Sequence, residues 1–175
     1  MLWLKAKSWC AAAWQSRWLV HSVRTGIGTA ASLAVARVLR MPEAYWAAVT
    51  TLIVMQSTLG AAWDVSKQRL IGTALGAGVG GLLANYWHPG IIGFGAAIFG
   101  LGLICALLRL DRSAYRFAGI TLTLVMLAAR GEPPWLIGVH RFVEVSLGIA
   151  VGLAFNALWP ERELADSTHP SKSPS

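Results

Sequence analysis

The chain has 175 residues, of which 55% are hydrophobic and 13% are charged, and its formal net charge is +7. Soluble domains have about 25% charged residues, so this chain has too little polar surface for a soluble enzyme or binding domain. Its basic residues are scattered and form no dense run, which argues against nucleic-acid binding. An excess of Lys and Arg in the cytoplasmic loops of a membrane protein explains the positive charge.

Residues 1–18 are basic and rich in tryptophan. Four tryptophans precede the first long apolar run: Trp3, Trp9, Trp14 and Trp18. Indole rings prefer the membrane–water interface, so we predict an interfacial segment on the inner leaflet. The Ala11–Ala13 run is too short for the core of a signal peptide, and Arg17 follows it.

Six apolar segments follow, each close to the length of about 20 residues that a helix needs to cross a bilayer. They are Leu19–Leu39, Ala44–Trp63, Leu70–Trp87, Ile91–Leu108, Ala114–Ala129 and Leu136–Trp159. Turn or charge signals separate them at residues 40–43, 64–69, 88–90, 109–112 and 130–134. We predict an all-α integral membrane protein in which residues 19–160 form a bundle of six transmembrane helices. For the fourth and fifth segments, a hairpin that does not fully cross is the alternative. The polar tail at 161–175 is predicted to be disordered.

The distribution of Lys and Arg predicts that both termini lie in the cytoplasm. With the N-terminus inside, four arginines fall on the outer side: Arg37, Arg40, Arg130 and Arg141. The other basic residues of the ends and loops fall on the inner side. Tryptophans at the predicted helix ends support the same boundaries: Trp46, Trp63, Trp87, Trp135 and Trp159.

Glycines recur every four residues in two of the segments. Gly72, Gly76 and Gly80 share one face of the third segment, and Gly148 and Gly152 share one face of the sixth. Bare backbone lets a neighbouring helix approach closely, so we predict helix packing on these faces. The alternative is a pore or substrate groove beside the glycines.

An arginine followed by small residues opens the first, third and sixth segments. These arginines are Arg24, Arg69 and Arg141. Because the third and sixth segments run in opposite directions, the pattern indicates a three-plus-three inverted repeat. Chance similarity is the competing explanation.

The same three arginines are the candidate substrate-binding residues, because a planar guanidinium can bind a carboxylate with two parallel hydrogen bonds. Glu144 and His140 are candidate proton carriers. Alternatively, Arg141 and Glu144, which share a helix face, form a self-satisfied pair that anchors the helix end. Threonines of the second segment either line a polar path or bond to helix carbonyls.

Enzyme chemistry is not indicated. The four histidines and two cysteines lack metal-ligand spacing, and no nucleophile has an evident base. No phosphate-binding loop of the nucleotide-hydrolase type is present. We therefore predict no enzyme activity, no metal and no cofactor.

Three blocks of sequence resemble the fusaric acid resistance-like family, also called the aromatic acid exporter or integral membrane bound transporter domain. They are Pro42–Gln56, Arg69–Gly76, and the run from Arg141 through Glu144 and Gly148 to Trp159-Pro160. The resemblance covers roughly residues 22–160. It implies a six-helix domain of bacterial inner membranes that exports aromatic carboxylic acids such as fusaric or p-hydroxybenzoic acid.

The resemblance leaves alternatives open. Plant aluminium-activated malate channels look like distant relatives, so a passive organic-anion channel is one of them, and a non-transporting membrane subunit of a larger complex is another. Many relatives carry a second membrane copy or a large cytoplasmic domain, whereas this chain ends in a short tail. We therefore expect a homodimer in the lipid bilayer, with a small organic anion as substrate and a periplasmic adaptor protein as a further candidate partner.

Overall fold

A computed structural model of the chain describes residues 2–55, 58–86, 90–127 and 132–159, and only the backbone of residues 2–17 and 86. These parts form six α-helices and no strand, which confirms the predicted all-helical class. The helices are α1 (Leu2–Val38), α2 (Tyr45–Val54), α3 (Leu59–Tyr86), α4 (Ile91–Leu107), α5 (Arg112–Leu127) and α6 (Pro134–Leu158). The predicted tail at 161–175 and Trp87 lie outside the described residues.

Helices α3 and α6 pack on each other in opposite directions, with Ala77 beside Gly138 and Gly81 beside Trp135. Helix α5 runs parallel to α3 on one side of this pair, and α2 runs parallel to α6 on the other. Helix α1 packs against α2 and α6, and α4 packs mainly against α5. Consecutive helices therefore alternate in direction.

Two apolar clusters fill the interior. One joins α4 to α5 around the fully buried Leu101 and Leu122, with Leu75 and Val79 of α3 packed against it. The other joins α2, α3 and α6 around Val54 and Ile149. The first cluster therefore ties α4 and α5 to α3, and the second ties α2 to both α3 and α6.

Helices α1 and α4 end in the same way. In each, an arginine with a φ of 53° follows the last turn, and the next residue donates a backbone hydrogen bond to a carbonyl of that turn. The bonds are Met41 to Ala36, 3.0 Å, after Arg40, and Leu110 to Cys105, 2.9 Å, after Arg109. This is the Schellman cap, whose left-handed position usually holds glycine. It turns the chain sharply into α2 and α5.

The prediction of one helix over Ala44–Trp63 was wrong. Helix α2 ends at Val54, and Leu59–Trp63 belong to α3, which continues through the predicted loop at 64–69. Asp64 and Lys67 lie on the exposed face of α3 and pair at 3.4 Å, whereas Arg69 is buried. The segment is therefore an amphipathic part of a long helix.

Apart from the start of the first segment, the other predicted boundaries agree with the described residues to within a few positions. Helix α4 matches the predicted fourth segment, and α6 begins at Pro134, a residue suited to the first helical turn. Helix α1 passes through residue 18 without a break, so the interfacial segment and the first predicted span share one helix.

In the described residues, α6 is the one helix long and apolar enough to cross a membrane by length and composition, while α2 and α4 are apolar but shorter.

Candidate functional site

Arg69 is a buried cation without a carboxylate partner among the described residues. It lies on α3 and is 5% exposed. Its Nε and Nη2 both donate to the hydroxyl oxygen of Thr50 on α2, at 3.1 and 2.9 Å. Its guanidinium also lies over the ring of Phe117 on α5, 4.9 Å from the centroid. A neutral hydroxyl and a ring leave the positive charge uncompensated, so this position can attract an anion.

Arg141 has the opposite surroundings. It forms ion pairs with Glu43, in the α1–α2 connection, and with Glu144 on its own helix at 3.4 Å. The second carboxylate also accepts a hydrogen bond from the backbone N–H of Glu43, 3.0 Å long. The Arg141 guanidinium stacks on the ring of Trp46, 4.4 Å from the centroid. Arg141 and Glu144 are thus paired, and Glu43 adds a second carboxylate that compensates this arginine.

Neither Arg24 nor His140 takes part in the polar contacts of Arg69 and Arg141 described above. Arg24 is fully buried on α1, and its Nη1 donates to the carbonyl of Trp159 at 2.8 Å. A cation suits the C-terminal end of α6, where the last carbonyls lack helical partners. His140 is half-buried on α6 and has no hydrogen bond or ion pair within the described parts of the chain. Their proposed substrate and proton roles stay predictions.

The three glycines of α3 bring it against the backbone of α5. A Cβ on Gly72 or Gly76 would collide with a carbonyl oxygen of α5, and a Cβ on Gly80 would lie 3.2 Å from the Cα of Leu122. The predicted packing role of this glycine face therefore has a direct geometric basis. In the described part of the chain, α5 occupies the space beside these three glycines.

Gly148 and Gly152 on α6 make the matching contact with α2. A Cβ on Gly148 would collide with the carbonyl of Ala47, and one on Gly152 would lie 2.9 Å from Val54 Cγ1. The Thr51 hydroxyl lies 3.0 Å from the carbonyl oxygens of both Ala47 and Gly148, so it joins the two helices. This threonine bonds to helix carbonyls, the second of the two predicted roles.

Two residues that sequence reasoning missed complete this region. Glu43 was assigned to a loop, with no sign of its pairing with Arg141. Asn156, 2% exposed on α6, donates to the carbonyl of Val54 at 3.2 Å, at the end of α2. In the sequence, Asn156 follows Gly148 and Gly152 at helical spacing and so shares their face of α6. That spacing does not identify Val54 as its partner.

An apolar cavity of about 610 Å³ opens between α3 and α6. Small residues of α3 form its floor and aromatic residues of α6 its rim: Ala74, Ala77, Gly78, Gly81, Trp135 and Phe142. Neither Arg69 nor Arg141 lines it. Among the described residues, no group of His, Cys, Asp and Glu could hold a metal ion.

Comparisons with known proteins identify the family. Residues 29–155 match the fusaric acid resistance protein-like family, a range that contains Arg69 and Arg141 with their partners but not Arg24. The inner membrane protein YeeA of Escherichia coli (strain K12) is 27% identical over 153 residues, an alignment that covers 82% of this chain and 42% of that protein. The chain thus spans less than half the length of this curated relative, and no solved structure matches it. Because the family match covers more than half of the sequence, the chain belongs to the fusaric acid resistance protein-like family of membrane transporters.

Proposed function

We propose that the chain is an inner-membrane transporter that exports organic carboxylate anions, aromatic acids among them, and that Arg69 binds the carboxylate. The observation that carries the proposal is the buried, uncompensated charge of Arg69. A charged arginine within a membrane helix is costly, up to about 2.5–3.5 kcal/mol at the helix centre on insertion scales, and such residues mark substrate and ion pathways. An anion that binds there would offset this cost.

We further propose six membrane-spanning helices with both termini in the cytoplasm. Helix α4, with 17 residues, is about 25 Å long, close to the hydrocarbon thickness of a bilayer. Helix α2 is shorter, at about 15 Å, so the proposed second span extends beyond this helix. Large apolar side chains that lipid would cover support this arrangement: Ile91 is 92% exposed and Leu158 is 84% exposed.

Export of an anion needs no energy source beyond the membrane potential. A cell interior that is negative expels a monovalent anion with about 2.3 kcal/mol per 100 mV. A carrier and a channel would both use this force, and electrical recording in a planar bilayer separates them. Discrete anion currents would identify a channel.

The test is export of labelled benzoate from right-side-out vesicles. Arg69→Gln, which keeps a polar side chain but removes the charge, should abolish export, and Arg69→Lys should restore part of it. Arg37→Gln on the exposed face of α1 is the matched control and should export normally. Normal export by an inserted Arg69→Gln protein would refute the site. Single-cysteine labelling from each side of the membrane tests the six spans.

A homodimer and a periplasmic adaptor are further proposals. Two copies could cover the α3–α6 cavity, since small residues allow close helix contact in lipid. Cross-linking from cysteine at Gly78, compared with cysteine at Gly100 on α4, tests the dimer. Co-purification of a soluble periplasmic protein from cross-linked cells tests the adaptor, and its absence would refute that partner.

A further inference from the structure

Helices α1–α3 and α4–α6 form equivalent halves that run in opposite directions. Helix α2 packs on α6 as α5 packs on α3, and α1 packs on α2 as α4 packs on α5. The first helix of each half ends in the same arginine-containing Schellman cap. This pairing of contacts supports the inverted repeat that the sequence predicts.

The equivalence extends to single residues along the two glycine seams. Gly148 meets the carbonyl of Ala47 and the side chain of Thr50, and Gly76 meets the carbonyl of Ala118 and the side chain of Thr121. One turn further, a valine stands beside the next glycine in both seams: Val54 beside Gly152, and Val125 beside Gly80.

The same correspondence makes Arg69 and Arg141 counterparts. Arg69 precedes Gly76 by the same number of residues as Arg141 precedes Gly148. Each guanidinium also lies over an aromatic ring of the partner helix, Phe117 or Trp46, and these rings immediately precede Ala118 and Ala47. Both halves therefore place an arginine on a ring at the start of a glycine seam.

The two arginines differ in their carboxylates. Glu144 touches the backbone of Glu43 in one half, and their counterparts Gly72 and Ala114 make the matching backbone contact in the other. Among the described residues, Arg141 thus has two carboxylates where Arg69 has none. A carboxylate from a ligand can therefore supply the negative charge that Arg69 lacks in this part of the chain.

We infer that the carboxylate of the bound anion takes, at Arg69, the place that the Glu43 carboxylate takes at Arg141. The ligand cannot take the position that corresponds to the Glu144 side chain, because a Cβ on Gly72 would already meet the carbonyl of Ala114 and lie 2.9 Å from Phe117 Cβ. Ala114 is therefore a specificity-determining residue whose small side chain keeps the site free. The acidic residue nearest to Ala114 in sequence, Asp111, is exposed and accepts a hydrogen bond from Gln68 at 2.9 Å instead of pairing with Arg69.

This inference rests on the proposed function, and a gain of binding tests it separately. The double variant Glu43→Ala, Glu144→Gln gives Arg141 the uncompensated charge of Arg69. In nanodiscs, equilibrium dialysis with labelled benzoate should find one site per chain in the parent and two in this variant. The exposed Glu132→Gln is the control and should keep one site. Adding Arg69→Gln to the double variant should leave one site.

The inference would be overturned if the double variant has the thermal stability of the parent but still binds one benzoate per chain. If the parent binds no benzoate, the proposed function fails, while a site that appears only in the double variant still supports the equivalence of the two arginines. Should the double variant not fold, Ala114→Glu decides. A tethered carboxylate at Arg69 should raise the Kd for benzoate at least about tenfold over Ala114→Gln. Equal affinities would contradict the inference.

Discussion

Replacing Gly76 by alanine should separate α3 from α5, whereas the same change at Gly78 should not. Both glycines lie in α3, so both substitutions gain the same helix preference, about 1 kcal/mol. A Cβ on Gly78 has no atom within 4 Å. A Cβ on Gly76 would collide with the carbonyl oxygen of Ala118 and lie 2.9 Å from the Cβ of Thr121. The contrast between the two variants therefore isolates the packing effect.

The size of the effect follows from these contacts. Ordinary contacts begin at 3.4 Å, and the collision with the carbonyl oxygen of Ala118 means that α5 must move by about 1 Å to restore that distance. A gap of that size removes roughly half of the attraction of each separated atom pair. Overpacking of this kind costs about 1–3 kcal/mol. For a chain of this length, Gly76→Ala should melt about 2–12 °C below Gly78→Ala.

Thermal unfolding followed by tryptophan fluorescence in one detergent is the assay. Gly78→Ala should melt at or above the temperature of the parent, and Gly76→Ala should melt below it. Equal melting temperatures for the two variants would refute the close approach of α3 and α5.

Three further substitutions test the polar contacts of the interior. Arg141→Gln leaves two carboxylates without their cation and should lower the free energy of unfolding by about 3–5 kcal/mol. Arg69→Gln leaves no carboxylate without a partner and should lower it less. Equal losses in the two variants would contradict the assignment of partners. Asn156→Leu leaves the carbonyl of Val54 without its hydrogen bond and should lower the free energy of unfolding by about 1–3 kcal/mol, whereas Asn85→Leu at an exposed position should not. Equal unfolding of the two variants in denaturant would show that this hydrogen bond does not stabilise the protein. Thr51→Val should cost about 1 kcal/mol by the same measurement, and a neutral result would exclude a role for its hydroxyl between the helices.

The length of an apolar run predicts a helix correctly where residues close in sequence mark both of its ends. Helix α4 begins after Gly90 and ends at the cap of Arg109, and its predicted and observed bounds agree closely. The end of α2 has no such local signal. Its last carbonyl, on Val54, is bonded by Asn156, 102 positions away in sequence. A contact of this range is invisible in a short window of sequence, and this explains the error in the second predicted span.

The buried arginines were predictable as residues but not as sites. Charge within an apolar segment singles out Arg69 and Arg141 equally. What separates them is Glu43, which reaches Arg141 from the α1–α2 connection after the sharp turn at Arg40. The sequence shows both the acid and the arginine, but their pairing depends on the parallel packing of α2 and α6.

The twin caps of α1 and α4 have a consequence for how the protein inserts. In the proposed orientation, Arg40 faces the outside and its counterpart Arg109 faces the cytoplasm, so their charges cancel in the balance across the membrane. At the spacing that relates the two glycine seams, two cytoplasmic charges have neutral counterparts: Lys67 and Arg116 correspond to Val139 and Tyr45. The direction in which this nearly symmetric bundle inserts therefore depends in part on two side chains that take no part in its packing symmetry.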